Sequence, residues 1–235
     1  MKKTRTLILS LATVLLLTLG ASSASAAFDT TVILTNQNGA VPGSGPYVQV
    51  DIHIASTTSA TLTYTALSNG GFEYLMGANG SVGANINTNG GSFTAIATGT
   101  SYATASGASG FHTGSFTHIG TGNEDGFGSY NLSIDSFDGY TNAWQQVVVT
   151  LTGTGTNWTN LASLLTPVSG GAGTSALAAH VFGCTLSGGV CNSGEPVSST
   201  GYVATPEPKL LTALALGMIG LAFFQARRKR SISNN

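Results

Sequence analysis

Asp51 and His53 stand two residues apart in the segment Tyr47-Val48-Gln49-Val50-Asp51-Ile52-His53-Ile54, which alternates apolar and polar residues. In a strand this spacing puts both side chains on one face. There a carboxylate and an imidazole can form a general-base pair or half of a metal site. A solvated strand face would use the same residues. A second group, Glu124, Asp125, Asp135 and Asp138, brackets another alternating segment. Oxygen ligands on loops beside a strand can hold Ca2+, and the candidates are Asp125, Asp135 and Asp138. Glu124-Asp125-Gly126 and Asp138-Gly139 are equally turn sequences, in which Asp bonds its own backbone, and the spacing matches no EF-hand loop. His112 and His118 fall in a glycine-rich segment and His180 in an apolar run. Neither H-E-x-x-H nor G-x-S-x-G occurs. A glycosidase pair would need carboxylates on facing elements. The chain is therefore expected to have no catalytic residues, not to be an enzyme, and to need no cofactor beyond the candidate calcium.

Those residues sit in a chain of unusual charge layout. All eight Lys and Arg lie at the ends: Lys2, Lys3 and Arg5, then Lys209, Arg227, Arg228, Lys229 and Arg230. Residues 27 to 205 hold eight carboxylates and neither Lys nor Arg, a formal charge of −8 with histidine neutral. Without a basic patch or a phosphate loop, nucleic acid is excluded as a partner. No carboxylate can find a Lys or Arg partner in this region. Their mutual repulsion and any burial both push carboxylate pKa values up.

The positioning elements read as strands. Thr31 to Thr35, Tyr47 to Ile54, Ala60 to Leu67, Tyr130 to Asp135, Val147 to Leu151 and Ala178 to Cys184 are candidates, separated by Gly, Asn and Ser turns. Asn160 to Leu165 reads as a short helix. Residues 77 to 122 are rich in Gly, Ala, Ser, Thr and Asn and weakly patterned, so long loops or short edge strands are expected there. The fold class is all-β, an antiparallel β-sandwich of jelly-roll type with one short helix. A β-helix is the alternative, although no fixed-period repeat is present. Trp144 and Trp158 are expected in the core rather than on a sugar-stacking platform. Asn131-Leu132-Ser133 and Asn157-Trp158-Thr159 are glycosylation sequons.

The ends read as export signals. Residues 1 to 26 form a signal peptide: a basic start, an apolar run from Leu7 to Leu19, and an A-x-A site at Ala24 and Ala26. Signal peptidase would cut before Ala27, with Phe28 as the alternative start. Residues 27 to 203 form the extracellular domain, and 204 to 235 a tail. The tail holds Pro206-Glu207-Pro208, an apolar helix from 210 to 226, and Arg227-Arg228-Lys229-Arg230. Seventeen residues at about 1.5 Å each reach roughly 25 Å, the short end for a bilayer span. The basic cluster keeps its end cytoplasmic. Export places Cys184 and Cys191, the only cysteines, in an oxidising compartment, and a disulfide closing their short loop is expected. The chain-entropy model assigns such a small loop about 2–3 kcal/mol.

The tail, together with the leader, resembles the PEP-CTERM sorting signal of Gram-negative bacteria, over about the last thirty residues only. The resemblance rests on Pro206, Glu207 and Pro208, one short span, and the basic stop at Arg227 to Arg230. Lys209 departs from the pattern, where a small or apolar residue is usual. The resemblance implies recognition by an exosortase-like membrane protease and cleavage near the motif. It implies a transient inner-membrane anchor, then transfer to the cell surface or the extracellular space, commonly alongside exopolysaccharide. The expected function is that of a structural or interaction protein of the cell surface or matrix. A carbohydrate-binding module and a secreted hydrolase are the alternatives. Exposed aromatic rings in a row would mark the first; carboxylates or histidines converging in a deep cleft would mark the second.

Overall fold

The computed structural model describes residues 27–39, 41–77, 81–101, 115–135, 143–187, 190–191 and 200–205. The leader with Ala24 and Ala26, the tail from Pro206 to Arg230, and Asp138 lie outside them. Among the described residues no helix is long and apolar enough to cross a membrane.

The chain begins with β1 (Phe28–Leu34), β2 (Asn36–Gln37), β3 (Val48–Ser56), β4 (Ser59–Ala66), β5 (Ser68–Asn69), β6 (Phe72–Met76), β7 (Val82–Ala84) and β8 (Ser92–Ser101). There follow β9 (His118–Glu124), β10 (Gly128–Asp135) and β11 (Trp144–Thr154), then the helix α1 (Leu161–Leu164). The last strands are β12 (Val168–Gly170), β13 (Gly173–Ser175), β14 (Leu177–Ser187), β15 (Val190–Cys191) and β16 (Thr200–Ala204). Every strand pairing is antiparallel. Fourteen strands join in one sheet, in the order β1-β3-β4-β11-β6-β14-β7-β10-β9. Beside that path β8 pairs β11, β16 pairs β14 and β2, β15 pairs β14, and β5 pairs β6. β12 and β13 form a separate hairpin. The protein is thus all-β and antiparallel. A β-helix stacks parallel rungs and does not fit these pairings.

Alternation explains why these segments are strands. In β3 the buried residues are Val48, Val50, Ile52 and Ile54, and in β4 they are Ala60, Leu62, Tyr64 and Ala66. One core cluster joins them to Val147, Val149 and Leu151 of β11. The same cluster takes Tyr74 and Met76 from β6, Leu132 and Ile134 from β10, and Ala179 and Val181 from β14. Tyr64 of β4 donates its hydroxyl across this core to Gly83 O of β7, at 2.9 Å. β14 is buried on both faces, because Ala178 joins a second cluster with Phe127, Tyr130, Tyr202 and Ala204. The last strand carries the fold through Ala204, which is fully buried, one residue past the expected boundary at 203. The short helix forms because Asn160 caps it: its Oδ1 accepts from Ser163 N at 3.0 Å, and Ser163 Oγ accepts from Asn160 N at 3.0 Å.

Residues 92 to 101 depart from the expectation of loops or short edge strands. β8 is a ten-residue strand paired along β11 from Ser92↔Thr154 to Ser101↔Trp144. Its inward residues are Phe93, Ala95 and Ala97, which are only partly buried. Alanine at inward positions gives little apolar contrast with threonine at the outward ones, so the period of two is faint in the sequence. Gly99 has a packing reason: a Cβ there would lie 2.4 Å from the Trp144 ring, which rests on the strand. Phe116 stacks on that ring at 4.6 Å.

Candidate functional site

Register decides which polar residues meet on the outer face of β1, β3, β4, β11 and β8. Asp29, His53, Thr61, Thr150 and Ile96 are successive neighbours in one row across the five strands. Thr31, Asp51, Thr63, Val148 and Thr98 form the next. Ile33, Gln49, Thr65, Gln146 and Thr100 form a third, while Ser59, Thr152 and Thr94 make a shorter one. Neighbours across strands stand about 4.8 Å apart, and rows about 6.7 Å apart along a strand. The β4–β11–β8 part of this face carries no ionisable side chain. It is mostly an array of hydroxyls and methyls on β-branched residues, whose χ1 freedom is restricted, with Gln146 and Ser59 among them.

The charged part lies on β1 and β3. Asp51 and His53 do share a face, but the structure does not pair them with each other. His53 Nδ1 meets Asp29 Oδ1 at 2.5 Å. Asp51 Oδ1 accepts from the Thr31 hydroxyl at 2.6 Å, and Gln49 Nε2 donates to both its oxygens at 3.1 and 3.0 Å. The side chains of His53 and Asp29 are 50% and 74% exposed, so the contact is screened by water and contributes at most about 1 kcal/mol. A shallow depression of about 320 Å³ runs between them, lined by Asp29, Thr30, Thr31, Asp51, Ile52, His53 and Thr63. The hydroxyls and carboxylates can exchange hydrogen bonds with a polar chain laid across the face.

Of the candidate calcium residues, Asp125 and Asp135 do not converge. Asp125 is exposed in the tight turn between β9 and β10, while Asp135 is buried at the opposite end of β10. Eight residues of strand, roughly 26 Å, separate those ends. Asp138 lies outside the described residues. Among the described residues no three His, Cys, Asp or Glu side chains are placed to hold a metal ion. Asp125 instead borders a depression of about 540 Å³ with Gln37, Asn38 and Ala172, and its carbonyl accepts from Asn38 Nδ2 at 3.1 Å.

Glu124 opens the turn that its sequence predicts, but its side chain points away from solvent. It is fully buried. Ser133 Oγ donates to its Oε1 at 3.0 Å, and Oε2 finds no partner among the described residues. Burial pushes its carboxyl up to about 8, with the Ser133 bond opposing and Asp135 adding. Glycines make the niche. A Cβ on Gly83 would lie 2.7 Å from Glu124 Oε1, and one on Gly122 2.5 Å from Ser133 Oγ. Tyr64, held above its usual range by burial, then by Glu124 and Tyr130, closes one side.

The remaining candidates sit in structural roles. His180 stacks on Tyr202 with ring centroids 4.4 Å apart. His118 Nε2 lies 3.2 Å from Thr121 O, and His112 is outside the described residues. Both tryptophans are buried in the core cluster. Asn131 of the first sequon is engaged with Ile86, donating to its carbonyl at 2.8 Å and accepting from its N–H at 2.7 Å, whereas Asn157 of the second is exposed. Cys191 lies opposite Leu186 in register, which puts its position on the face that Cys184 also occupies. No cysteine among the described residues is a free thiol.

Fold and face together define an all-β protein with a broad hydroxyl-bearing sheet face. Compared with protein-family models, curated proteins and solved structures, the chain matches none.

Proposed function

We propose that this chain is an exported structural or interaction protein of the cell surface or matrix, whose threonine face lies against an uncharged polysaccharide. The observation that carries this reading is the uncharged hydroxyl array on β4, β11 and β8. Thr150, Thr152, Thr94 and Thr98 are exposed there, and Thr61, Thr63 and Thr65 half-exposed. Hydroxyls at regular spacing can both donate and accept, which suits a hydrated polymer that repeats its own hydroxyls. A chain segment at −8 repels acidic polymers, so the partner is neutral. In the finer reading of the fold, the long sheet closes on itself as a jelly-roll-like sandwich. A core shared by β3, β4 and β11 with β6, β10 and β14 supports this reading. A Cys184–Cys191 disulfide then pins the β14–β15 end.

Co-sedimentation with the producing cells' exopolysaccharide tests the role. The wild-type protein should pellet with the polymer, and the triple variant Thr63→Val, Thr150→Val, Thr152→Val should bind at least about tenfold more weakly. Three hydrogen bonds at roughly 0.5–1.5 kcal/mol each set that minimum. An unchanged bound fraction in the variant would remove the face from the reading, and a wild type that stays in solution would end it.

Sorting is tested by mass spectrometry of the protein recovered from outside the cells. The expected mature form starts at Ala27 and ends near Pro206, after signal peptidase and an exosortase-like protease have acted. Unreduced, it should be lighter by two hydrogens than after reduction, reporting the disulfide. Intact peptides crossing Thr205 to Leu211 in the extracellular pool would sink the sorting reading.

A further inference from the structure

We infer that β8 is an assembly edge, on which a second copy of this chain pairs its own β8 antiparallel about a two-fold axis through Ile96. Among the described residues β8 pairs only β11, so along roughly 33 Å its far side has no strand partner among them. Proteins guard such edges with charge, proline, bulges or short strands. The other long edges of this sheet are guarded. β1 carries Asp29, and β9 is broken by Gly120 and Gly122 and by a register shift against β10. β8 reads Ser92-Phe93-Thr94-Ala95-Ile96-Ala97-Thr98-Gly99-Thr100-Ser101, without charge or proline. Its one register shift lies at the far end, between Trp144 and Gln146 of β11. At its centre Ile96 is 69% exposed, more than any other large apolar side chain among the described residues.

Charge selects the site at which two copies can meet. Each brings −8 between its ends, so most approaches repel. On this half of the sheet β8, β11 and β4 hold no carboxylate, and the first, Asp51, is on β3. Three strand spacings, about 14 Å, separate it from the edge. That exceeds the Debye length of about 8 Å at physiological salt.

The edge is complementary to itself. A two-fold axis through Ile96 sets Ile96 against Ile96 of the second copy, Thr94 against Thr98 and Ser92 against Thr100 on the outer face. On the inner face it sets Ala95 against Ala97 and Phe93 against Gly99. Ile96 with Ile96 and Thr94 with Thr98 match β-branched with β-branched, and Ser92 and Thr100 can share a hydroxyl hydrogen bond, combinations that stabilise cross-strand neighbours, while Ala95 against Ala97 is small enough to add no clash. The contact is isologous and closes as a dimer, and the threonine rows continue from one copy into the next. The inference is independent of what the face binds.

Light scattering on the protein exported from cells expressing the full chain should give twice the monomer mass. Ile96→Lys and Thr98→Lys should each weaken the dimer at least tenfold, while the melting temperature measured at a dilution where all three proteins are monomeric stays unchanged. Ile96→Cys, on the axis, should cross-link two copies under oxidation, because directly opposed residues stand about 4.5–5.5 Å apart between Cα atoms. Thr94→Cys alone should not, since it faces position 98. A wild type that stays monomeric at the highest soluble concentration overturns the inference. So does a lysine variant that remains as dimeric as the wild type, or equal cross-linking at 94 and 96.

Discussion

Raising the pH from about 4.5 to about 8 should lower the stability of the folded domain, and Glu124 should account for most of the loss. Its carboxyl titrates near 4.5 when unfolded and at about 8 in the buried niche. Between those values the native state keeps a proton that the unfolded state has released. Stability changes with pH as the unfolded minus the native proton count, so the slope there is negative. The contribution is whole below the unfolded value and gone above the folded one. A gap of this width corresponds to roughly 4–5 kcal/mol, at about 1.4 kcal/mol per pH unit. Repulsion among the eight carboxylates has the same sign, but it acts near their ordinary range and fades with salt. A buried group keeps its effect in salt. Thermal melts of the exported protein between pH 4 and 9, at low and high ionic strength, separate the two. Glu124→Gln preserves shape and removes the proton, so its melting temperature should stay nearly level from about pH 5 to 8. A wild type whose melting temperature climbs toward neutral pH would contradict the assignment, as would an equal slope in Glu124→Gln.

Why that carboxylate escaped the sequence is instructive. Glu124-Asp125-Gly126 reads as a turn, and a turn is there: Phe127 N donates to Glu124 O at 2.8 Å, and Gly126 takes φ of +82°. What buries Glu124 is glycine at positions 83 and 122 and serine at 133. Gly83 is brought close only by pairing β7 with β10. Long-range register is invisible to local pattern. The same reason hid the partner of His53. Its alternation placed it correctly on a face with Asp51, but Asp29 reaches it from a strand whose offset no local signal sets. Strands with large inward residues, β3 and β4 above all, were legible because the period of two was strong. β8 was not, since alanine and threonine differ little in hydropathy. The threonine face needed both: five strands found, and four registers known.

Trp158→Ala should be the most damaging single substitution in the core, costing about 3–5 kcal/mol. Trp158 is fully buried in the segment after β11, where its N–H binds Thr57 O at 3.0 Å and its indole Nε1 donates to Asn87 O at 2.7 Å. Truncation to alanine opens a cavity and also leaves the Asn87 carbonyl without that donor. Trp158→Phe keeps much of the volume and loses mainly the hydrogen bond, so it should cost about 1–3 kcal/mol. Trp144 supplies the control. It is equally buried, stacked on Phe116 and resting on Gly99, yet its Nε1 has no partner among the described residues. Trp144→Phe removes a buried donor that was already unsatisfied and should therefore destabilise less than Trp158→Phe. Urea titrations of the three variants, compared at constant m-value, give the order directly. Equal losses for the two Trp→Phe changes, or the reverse order, would show that the indole of Trp158 contributes through volume alone and that its bond to Asn87 does not hold the loop in place.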